Sequence, residues 1–421
     1  MSNSTKNLIA FIKKSPTAFH VVANVEDMLG TAGYQKLVEG EKWKIKSKGK
    51  YYVTRGDSSI IAFEMCSDTV EGLRIAAAHS DSPCFKIKTN PEKNVENVYV
   101  TLNTEKYGGS IMPTWLDRPL GIAGRVVVEE SGKIQSILVD LKKEVALIPN
   151  LAIHMNPDIN KGKNYDAQVD MLPLIGSAAA KGKLMSMIAK SAKVKESDIL
   201  ASDLFLYNAQ EGKIWGVDNE YVSAPRLDDL QCVYGLVSGL VESAPAKNMV
   251  KICAIFNNEE VGSTTMCGAD STFLTDTIER IFESAKVVDR RHEIIANSML
   301  ISADNAHALH PNHPEVADPT NRPVMNGGIV IKHNANQKYT TDAVSEGFFV
   351  SLCKKAGVQV QHYCNKSTIA GGSTLGNIST SHLSVNSVDI GLPQLAMHSP
   401  YETAGVKDTD YLIAVMKEYW K

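Results

Sequence analysis

The chain has 421 residues, of which 43% are hydrophobic and 22% are charged, and its formal net charge is −3. This composition is typical of a globular protein with a full core, and the length allows two or three domains or one large domain with an insertion. The balanced charge and the lack of a long apolar run argue against nucleic-acid and membrane partners. The first twenty residues have no apolar signal core, so we expect a cytosolic protein.

The seven cysteines are scattered, odd in number and form no Cys-x-x-Cys pair. Such a pattern indicates neither a disulfide framework nor a cysteine-ligated zinc site. We therefore expect reduced thiols, most of them buried.

The first part of the chain predicts helical segments followed by three strands. Apolar residues at helical spacing predict a helix over residues 7–29, interrupted by Pro16. Residues 51–54 and 59–63 are typical of paired strands across a turn. Residues 73–78 are predicted to form a third strand.

The character of the sequence changes between about residue 90 and about residue 219. Short Val and Ile runs alternate there with Gly, Lys and Asp, which is typical of strands joined by turns. One helix is predicted over residues 181–193. We interpret residues 91–220 as an inserted, β-rich domain.

From residue 224 onward, predicted strands and helices alternate again. The predicted strands are 250–256, 299–303, 329–332 and 392–397. The predicted helices are 227–240, 275–284, 342–356 and 409–420, the last capped by Asp408 or Thr409. Such alternation favours a parallel or mixed sheet with helices on both faces. The predicted fold class is α/β, with residues 1–90 and 221–421 forming one domain around the insertion.

A short apolar strand, residues 252–256, leads directly to two adjacent carboxylates, Glu259 and Glu260. Burying two negative charges is costly unless a positive charge meets them, and no Lys or Arg lies between Ala254 and Asp276. A divalent cation would meet this need, with one Glu binding it and the other free to move protons. A solvated turn after a strand is the alternative that this stretch leaves open.

Two further candidate sites follow other predicted elements. His79 leaves a strand and could bind a metal through one ring nitrogen, while Asp81 holds the other and fixes the tautomer. An Asx turn would explain the same residues. Asp228 lies at the start of a predicted helix, where it could bridge two metal ions or simply cap the helix.

The remaining two candidates lie near the C-terminal end. Asp304 ends an apolar strand, with His307 three residues later, and could be a metal ligand or a cap. His398 follows another apolar run and could be a ligand or an ordinary turn histidine. Together the five sites supply the histidines and carboxylates of a two-metal hydrolase, and these donors suit Zn²⁺, Co²⁺ or Mn²⁺.

Six motifs, in this order, resemble the aspartyl aminopeptidase and vacuolar aminopeptidase I family of metallo-aminopeptidases. They are AAHSDSP (77–83), SAPRLDDL (223–230), NNEEVGS (257–263), SADNAHALHPN (302–312), IKHNANQKYT (331–340) and PQLAMHSPYETAG (393–405). The resemblance runs over nearly the whole chain. It implies a zinc-peptidase-like α/β domain, interrupted by a β-rich domain used in assembly.

The resemblance also implies roles for the candidate residues. Two divalent ions, zinc by preference, would be held by His79 and Asp304 on one side and by Glu260 and His398 on the other. Asp228 would bridge the two ions. Glu259 would be the general base, and Asp81 would orient His79.

The resemblance further implies a homo-dodecamer with inward-facing active sites that hydrolyses the N-terminal residue of peptides. His154, in the inserted domain, would reach the active site of a neighbouring subunit and stabilise the oxyanion. Lys332 and His307 would receive an acidic side chain of the substrate. Two alternatives stay open, a preference for neutral N-terminal residues and a non-catalytic scaffold with the same fold.

Overall fold

The computed structural model describes residues 3–421, within which the chain forms nine α-helices and twenty β-strands. The helices are α1 (Asn3–Lys14), α2 (Ala18–Thr31), α3 (Leu184–Ala192), α4 (Leu227–Glu242), α5 (Phe273–Ala285), α6 (Arg291–Ala296), α7 (Ala343–Ala356), α8 (Leu375–His382) and α9 (Asp408–Tyr419).

The strands are β1 (Gln35–Leu37), β2 (Lys50–Arg55), β3 (Ser59–Met65), β4 (Gly72–His79), β5 (Cys84–Val95), β6 (Tyr99–Tyr107), β7 (Leu120–Glu130), β8 (Lys133–Asp140), β9 (Leu174–Ser177), β10 (Ile199–Asn208), β11 (Lys213–Trp215), β12 (Tyr221–Ala224), β13 (Met249–Phe256), β14 (Met299–Ala303), β15 (Ala306–His307), β16 (Ile329–His333), β17 (Val360–Cys364), β18 (Asn386–Gly391), β19 (Pro393–Leu395) and β20 (Glu402–Gly405).

Contacts divide the chain into two compact units. The first comprises the described residues up to Asp81 together with Gly212–Met397 and Glu402–Lys421. The second comprises Ser82–Glu211 and the short segment His398–Tyr401.

A nine-stranded mixed sheet, in the order β1-β2-β3-β13-β4-β14-β18-β16-β17, forms the centre of the first unit. The four strands β13, β4, β14 and β18 are parallel neighbours, so their carboxyl ends meet at one edge of the sheet. They are almost wholly buried, and their near-continuous apolar sequences are typical of strands covered on both faces.

Helices cover both faces of this sheet. On one face a core cluster includes Leu8 of α1, Leu236 of α4 and Phe349 of α7. On the other face a second cluster includes Phe273 of α5 and Leu375 of α8. The predicted α/β class with a mixed sheet and helices on both faces is thereby confirmed.

The first unit also contains a five-stranded sheet that the sequence patterns did not predict, in the order β11-β12-β20-β19-β15. Its strands have two to four residues each, too few for a period-two pattern to be recognised. The single strand predicted over residues 392–397 is wrong, because β18 ends at Gly391 and β19 covers only Pro393–Leu395.

The second unit is built on a six-stranded antiparallel sheet, in the order β8-β7-β10-β5-β6-β9. Phe85 and Trp115 meet edge to face in its core, with ring centroids 5.2 Å apart. The unit begins at Ser82 and not near residue 91, because β5 already pairs within this sheet. It ends at Glu211 and not at residue 220, because β12 pairs with β20 of the first unit.

Two predictions about helix starts have different outcomes. Helix α7 begins after Asp342, whose carboxylate accepts the backbone N–H groups of Val344 and Ser345 in a capping box. The cap predicted for the last helix is wrong, since α9 follows Lys407 without a side-chain cap. Asp408 instead accepts the backbone N–H of Gly405, at 3.2 Å.

No helix within residues 3–421 combines the length and the apolar character needed to cross a bilayer.

Candidate metal centre

His79 is the last residue of β4, and its side chain is 1% exposed. Its Nδ1 lies 3.1 Å from the backbone carbonyl oxygen of Asp81. Because a carbonyl oxygen can only accept, Nδ1 carries the hydrogen. The lone pair of the neutral ring is then on Nε2, which lies 3.3 Å from Oδ1 of Asp228. This is the tautomer that a metal ligand at Nε2 requires.

Asp81 does more than orient the His79 ring. Its carboxylate lies 3.4 Å from His79 Nδ1, slightly farther than its own carbonyl oxygen. The same carboxylate accepts the backbone N–H groups of Glu259 and Glu260, each at 3.2 Å. Asp81 therefore joins the turn after β4 to the turn after β13. The predicted orienting contact is present, but the backbone makes the shorter hydrogen bond.

Glu259 and Glu260 lie in a short 3₁₀ turn that follows β13. Asn258, with φ of 61°, and Gly262, with φ of 98°, flank the turn in left-handed conformations. The strand therefore ends abruptly, and both glutamates lie at the carboxyl edge of the sheet. Candidate ligand atoms of His79, Glu259 and Glu260 all lie within 4.8 Å of one another.

Asp228 is not a helix cap. It lies within the span of α4 with non-helical dihedral angles, and the residue at the N-cap position is Arg226. Its side chain is 3% exposed. Candidate ligand atoms of His79, Asp228, Asp229 and Asp304 all lie within 4.8 Å of one another.

Asp304 follows β14, and no helix begins there, so the capping alternative fails for this residue as well. Its Oδ2 lies 3.6 Å from Nζ of Lys332, whose side chain is 4% exposed. Lys332 was predicted to contact the substrate. In the structure its ammonium group faces Asp304 and lies over the ring of Tyr339.

Burial and mutual repulsion shift the charges of this cluster. Burial raises the pKa values of Asp229, Glu260 and Asp304 above the ordinary value of a carboxyl group, and neighbouring carboxylates add to the effect. Burial disfavours the charged form of His79, but the nearby aspartates, Asp229 foremost, outweigh it and raise its pKa. The cluster thus holds more negative charge than its own cations neutralise.

A divalent cation fits this arrangement. The donors are one imidazole nitrogen and several carboxylate oxygens, a mixed set that suits Zn²⁺, Co²⁺ or Mn²⁺. A cation would also favour the ionised form of carboxyl groups whose pKa values burial has raised. The residues that the structure brings together are therefore suited to hold metal.

Comparisons with known proteins agree with this chemistry. Residues 11–420 match the Peptidase M18 family, described as aminopeptidase I zinc metalloprotease. The chain is 46% identical over 433 residues to a probable M18 family aminopeptidase 2 of Clostridium novyi, and the alignment covers 100% of both. The chain belongs to the M18 family of metallo-aminopeptidases.

Solved structures extend the similarity to the fold. A chain in the cryo-EM structure of the Ape4 and Nbr1 complex matches with a TM-score of 0.96 at 32% identity, over 99% of this chain and 85% of that one. The S. cerevisiae mApe1 dodecamer matches with a TM-score of 0.88 at 28% identity, over 99% and 96%. The family that the six sequence motifs indicated is confirmed.

Three further residues predicted for the site of this M18 protein have the following surroundings in the structure. His398 follows β19 and belongs to the short segment that packs with the second unit, where its Nδ1 lies 3.0 Å from the carbonyl oxygen of Gly109. His154 is exposed in the second unit. His307 is exposed at the end of β15 and contacts the ring of Tyr363 edge to face. Their roles stay predictions.

The sequence patterns missed two acidic residues of this M18 site. Asp229 is fully buried, and its Oδ2 accepts the backbone N–H of His79 at 3.2 Å. Glu402 is 1% exposed and accepts the backbone N–H of Asp228 at 2.9 Å. The Asp-Asp pair in SAPRLDDL was a visible signal for Asp229. Glu402 lay inside a recognised motif but followed no apolar strand.

Proposed function

We propose that this M18 protein removes the N-terminal residue from peptides by means of two divalent ions, zinc by preference. The proposed ligands are His79, Asp228, Glu260, Asp304 and His398, with Asp228 as the bridge. The observation that carries the proposal is that the buried His79 belongs to two groups of candidate ligands, each with its ligand atoms within 4.8 Å of one another. One group contains Asp228, Asp229 and Asp304, and the other contains Glu259 and Glu260. His398 is included on the resemblance of its motif.

Glu259 is the proposed general base. Burial, with help from neighbouring carboxylates, raises its pKa to about 8. Positive charge at the site would lower this pKa, so the raised starting value leaves a base suited to neutral pH. Glu259 would take a proton from the attacking water and pass it to the leaving amine. When bound, the ions would supply Lewis acidity toward the scissile carbonyl.

Asp81 positions the base. It accepts the backbone N–H of Glu259 and also lies next to the His79 ring. A fixed backbone at this turn keeps the Glu259 carboxylate where the reaction needs it, at no reorganisation cost during turnover.

The substrate preference has two candidates. Lys332 and His307 would favour an acidic N-terminal residue, because a buried ammonium group attracts a carboxylate. Burial disfavours the charged form of Lys332, but the neighbouring groups, Asp304 foremost, together outweigh it and raise the pKa of Lys332, so the ammonium group stays charged. However, Asp304 already partners Lys332 at 3.6 Å, which favours the neutral preference. We propose the acidic preference, with the neutral one as its rival.

The test measures the hydrolysis of Asp-, Glu-, Leu- and Met-p-nitroanilides. The protein is first treated with a chelator to remove metal, and its activity is compared before and after Zn²⁺ or Co²⁺ is added back. We expect metal-dependent release, fastest for Asp and Glu. Equal or greater kcat/KM for Leu and Met would support the neutral preference. No metal-dependent release from any of the four would contradict the proposed function and leave the scaffold alternative. A peptide with an acetylated N-terminus is the control and should stay intact.

We also propose that the protein works as a homo-dodecamer in which His154 stabilises the oxyanion in a neighbouring subunit. The similar yeast mApe1 structure is described as a dodecamer. Support within this chain is the exposure of two large apolar residues beside His154, Ile153 at 49% and Met155 at 76%. Such exposed apolar groups are typical of a surface that another protein chain covers. A cytosolic location remains a prediction.

A further inference from the structure

Away from the candidate metal centre, residues 3–421 contain one more group of three side chains whose candidate ligand atoms lie within 4.8 Å of one another. The group is His333, Glu346 and His362. Glu346 Oε1 lies 2.7 Å from Nε2 of His362, and its Oε2 lies 3.7 Å from Nε2 of His333. The two imidazole rings are 6.0 Å apart between centroids and inclined by 32°. One carboxylate therefore faces two imidazole nitrogens.

Strand register explains why the two histidines share one face of the sheet. β16 and β17 are parallel, and His362 is paired with Ile331. Side chains alternate along a strand, so His333 and Ile331 point to the same face as His362. Ile331 belongs to the core cluster that includes Phe349 of α7. The histidines thus face the side of the sheet that α7 covers.

Glu346 lies on α7, the helix that covers this face of the sheet. It lies in the first turn of the helix, directly after Ser345 of the Asp342 capping box. The capped helix start fixes the backbone that carries this carboxylate. Three separate elements, β16, β17 and α7, therefore converge on one point.

Lys332 points to the opposite face of β16, where it meets Asp304. The Glu346 group and the contact of Lys332 with Asp304 therefore lie on opposite faces of β16. Changes to His362 or Glu346 should leave the residues proposed for catalysis unchanged.

We propose that His333, Glu346 and His362 form a separate divalent-metal site that takes zinc. Two imidazoles and one carboxylate are three ligands of a tetrahedral zinc ion, with water as the fourth. Donor atoms around such an ion lie about 3.3 Å apart, as follows from zinc–ligand bonds of about 2.0–2.1 Å. Rotamer adjustment of half-exposed side chains can close the remaining distance, since His362 is 42% exposed.

The charge state of the site suits metal binding. Burial lowers the pKa of His333, and the facing His362 ring lowers it further despite the charge of Glu346. A neutral imidazole is the form that binds metal, so His333 needs to release little proton at neutral pH. The bound ion would tie the edge strand β17 to α7, a stabilising cross-link for the end of the nine-stranded sheet.

The simpler alternative is an ordinary hydrogen bond from Nε2 of His362 to Glu346. The chain offers a matched example of that arrangement. His382 Nε2 lies 2.7 Å from Oδ1 of Asp270, and the two side chains are 36% and 37% exposed. That pair has the same distance and a similar exposure, but no third ligand lies with it in any group found within residues 3–421.

The test compares zinc bound to the full-length protein and to the His362→Gln, Glu346→Gln and His382→Gln variants. Each is dialysed against the same buffered micromolar zinc, and the bound metal is measured by mass spectrometry. We expect the first two variants to bind about one zinc ion per chain less than wild type, as the three-ligand site predicts. The His382→Gln control should bind as much as wild type, and all three should keep wild-type kcat.

Thermal melting at the same zinc concentrations gives an independent readout. Zinc should raise the melting temperature of wild type and of His382→Gln more than that of the other two variants, because only the former would bind the extra ion in the folded state. If His362→Gln and Glu346→Gln bind as much zinc as wild type, the proposed site does not exist. Because the readout is a difference between variants, it does not depend on how many ions the catalytic centre holds.

Discussion

At the scale of single residues, the candidate site depends on which atom of each side chain faces inward. His79 is held by a backbone carbonyl oxygen at Nδ1, so Nε2 is left facing Asp228. The carboxylate of Asp81 accepts the backbone N–H groups of Glu259 and Glu260. The same short loop therefore sets both the tautomer of His79, a proposed ligand, and the position of Glu259, the proposed base.

Glu259→Gln separates the proposed roles of the two glutamates. The variant keeps size and hydrogen-bonding shape but cannot accept a proton, so kcat should fall by about 10²–10⁴-fold with metal content unchanged. Glu260→Gln should instead lower the metal content. Metal analysis and peptide hydrolysis on both variants decide the matter, and loss of metal from Glu259→Gln would mean that the two roles are exchanged.

Single residues also mark what the sequence could and could not predict. The carboxylates after the long apolar strands, Glu259, Glu260 and Asp304, were found because those strands are easily recognised. Asp229 was not predicted, because the sequence of an Asp-Asp pair does not indicate which of the two carboxylates lies toward His79. Glu402 was missed because its contact with Asp228 joins residues that are far apart in the chain.

At the scale of elements, long buried strands were predictable and short ones were not. The predicted strand 299–303 coincides with β14, and 250–256 lies within β13. The five-stranded sheet was missed because its strands are held by pairing with distant segments and not by their own pattern. The last helix was predicted within one residue at each end, yet the role of Asp408 was not.

Asp408 makes the start of α9 sensitive to pH. It is fully buried and accepts the backbone N–H groups of Asn326 and Gly405. Burial raises its pKa to about 7, although these hydrogen bonds favour the charged form. At pH values between the pKa of Asp408 in the unfolded chain and its pKa in the folded protein, Asp408 is protonated only in the folded protein. The free energy of unfolding therefore falls as the pH rises through this window. The loss is complete above about pH 7.

Asp408→Asn should remove this dependence while keeping the carbonyl acceptor. The free energy of unfolding of the variant minus that of wild type should be about 2–3 kcal/mol larger at pH 8 than at pH 5. This follows from about 1.4 kcal/mol per pH unit below the folded pKa. Denaturant unfolding of both proteins at the two pH values measures the difference. A constant difference between them would show that Asp408 is ionised in the folded protein throughout.

At the scale of the whole molecule, the proposed reaction requires more than one chain. The second unit carries His154 on a surface with exposed Ile153 and Met155. We expect His154→Ala to lower kcat by about 10²–10³-fold, as the loss of an oxyanion donor does. The exposed Asp158→Ala in the same loop is the control and should keep wild-type activity.

Mixed assemblies distinguish a contribution within one subunit from one between subunits. Oligomers of His154→Ala alone or of Glu259→Gln alone would each have the low kcat predicted above. If His154 serves a neighbouring subunit, co-assembled chains should regain activity, because an intact Glu259 then meets an intact His154. Absence of recovery in confirmed mixed oligomers would contradict the contribution between subunits.

The proposed reaction requires that side chains from distant parts of the chain hold two ions at the carboxyl edge of the nine-stranded sheet. Anomalous diffraction at the zinc edge, from crystals of the zinc-loaded protein, tests it most directly. We predict two peaks about 3.5–4 Å apart, with His79, Asp228, Glu260, Asp304 and His398 as their nearest ligands. A single peak there, or no peak within reach of His79 and Asp228, would contradict a two-ion centre.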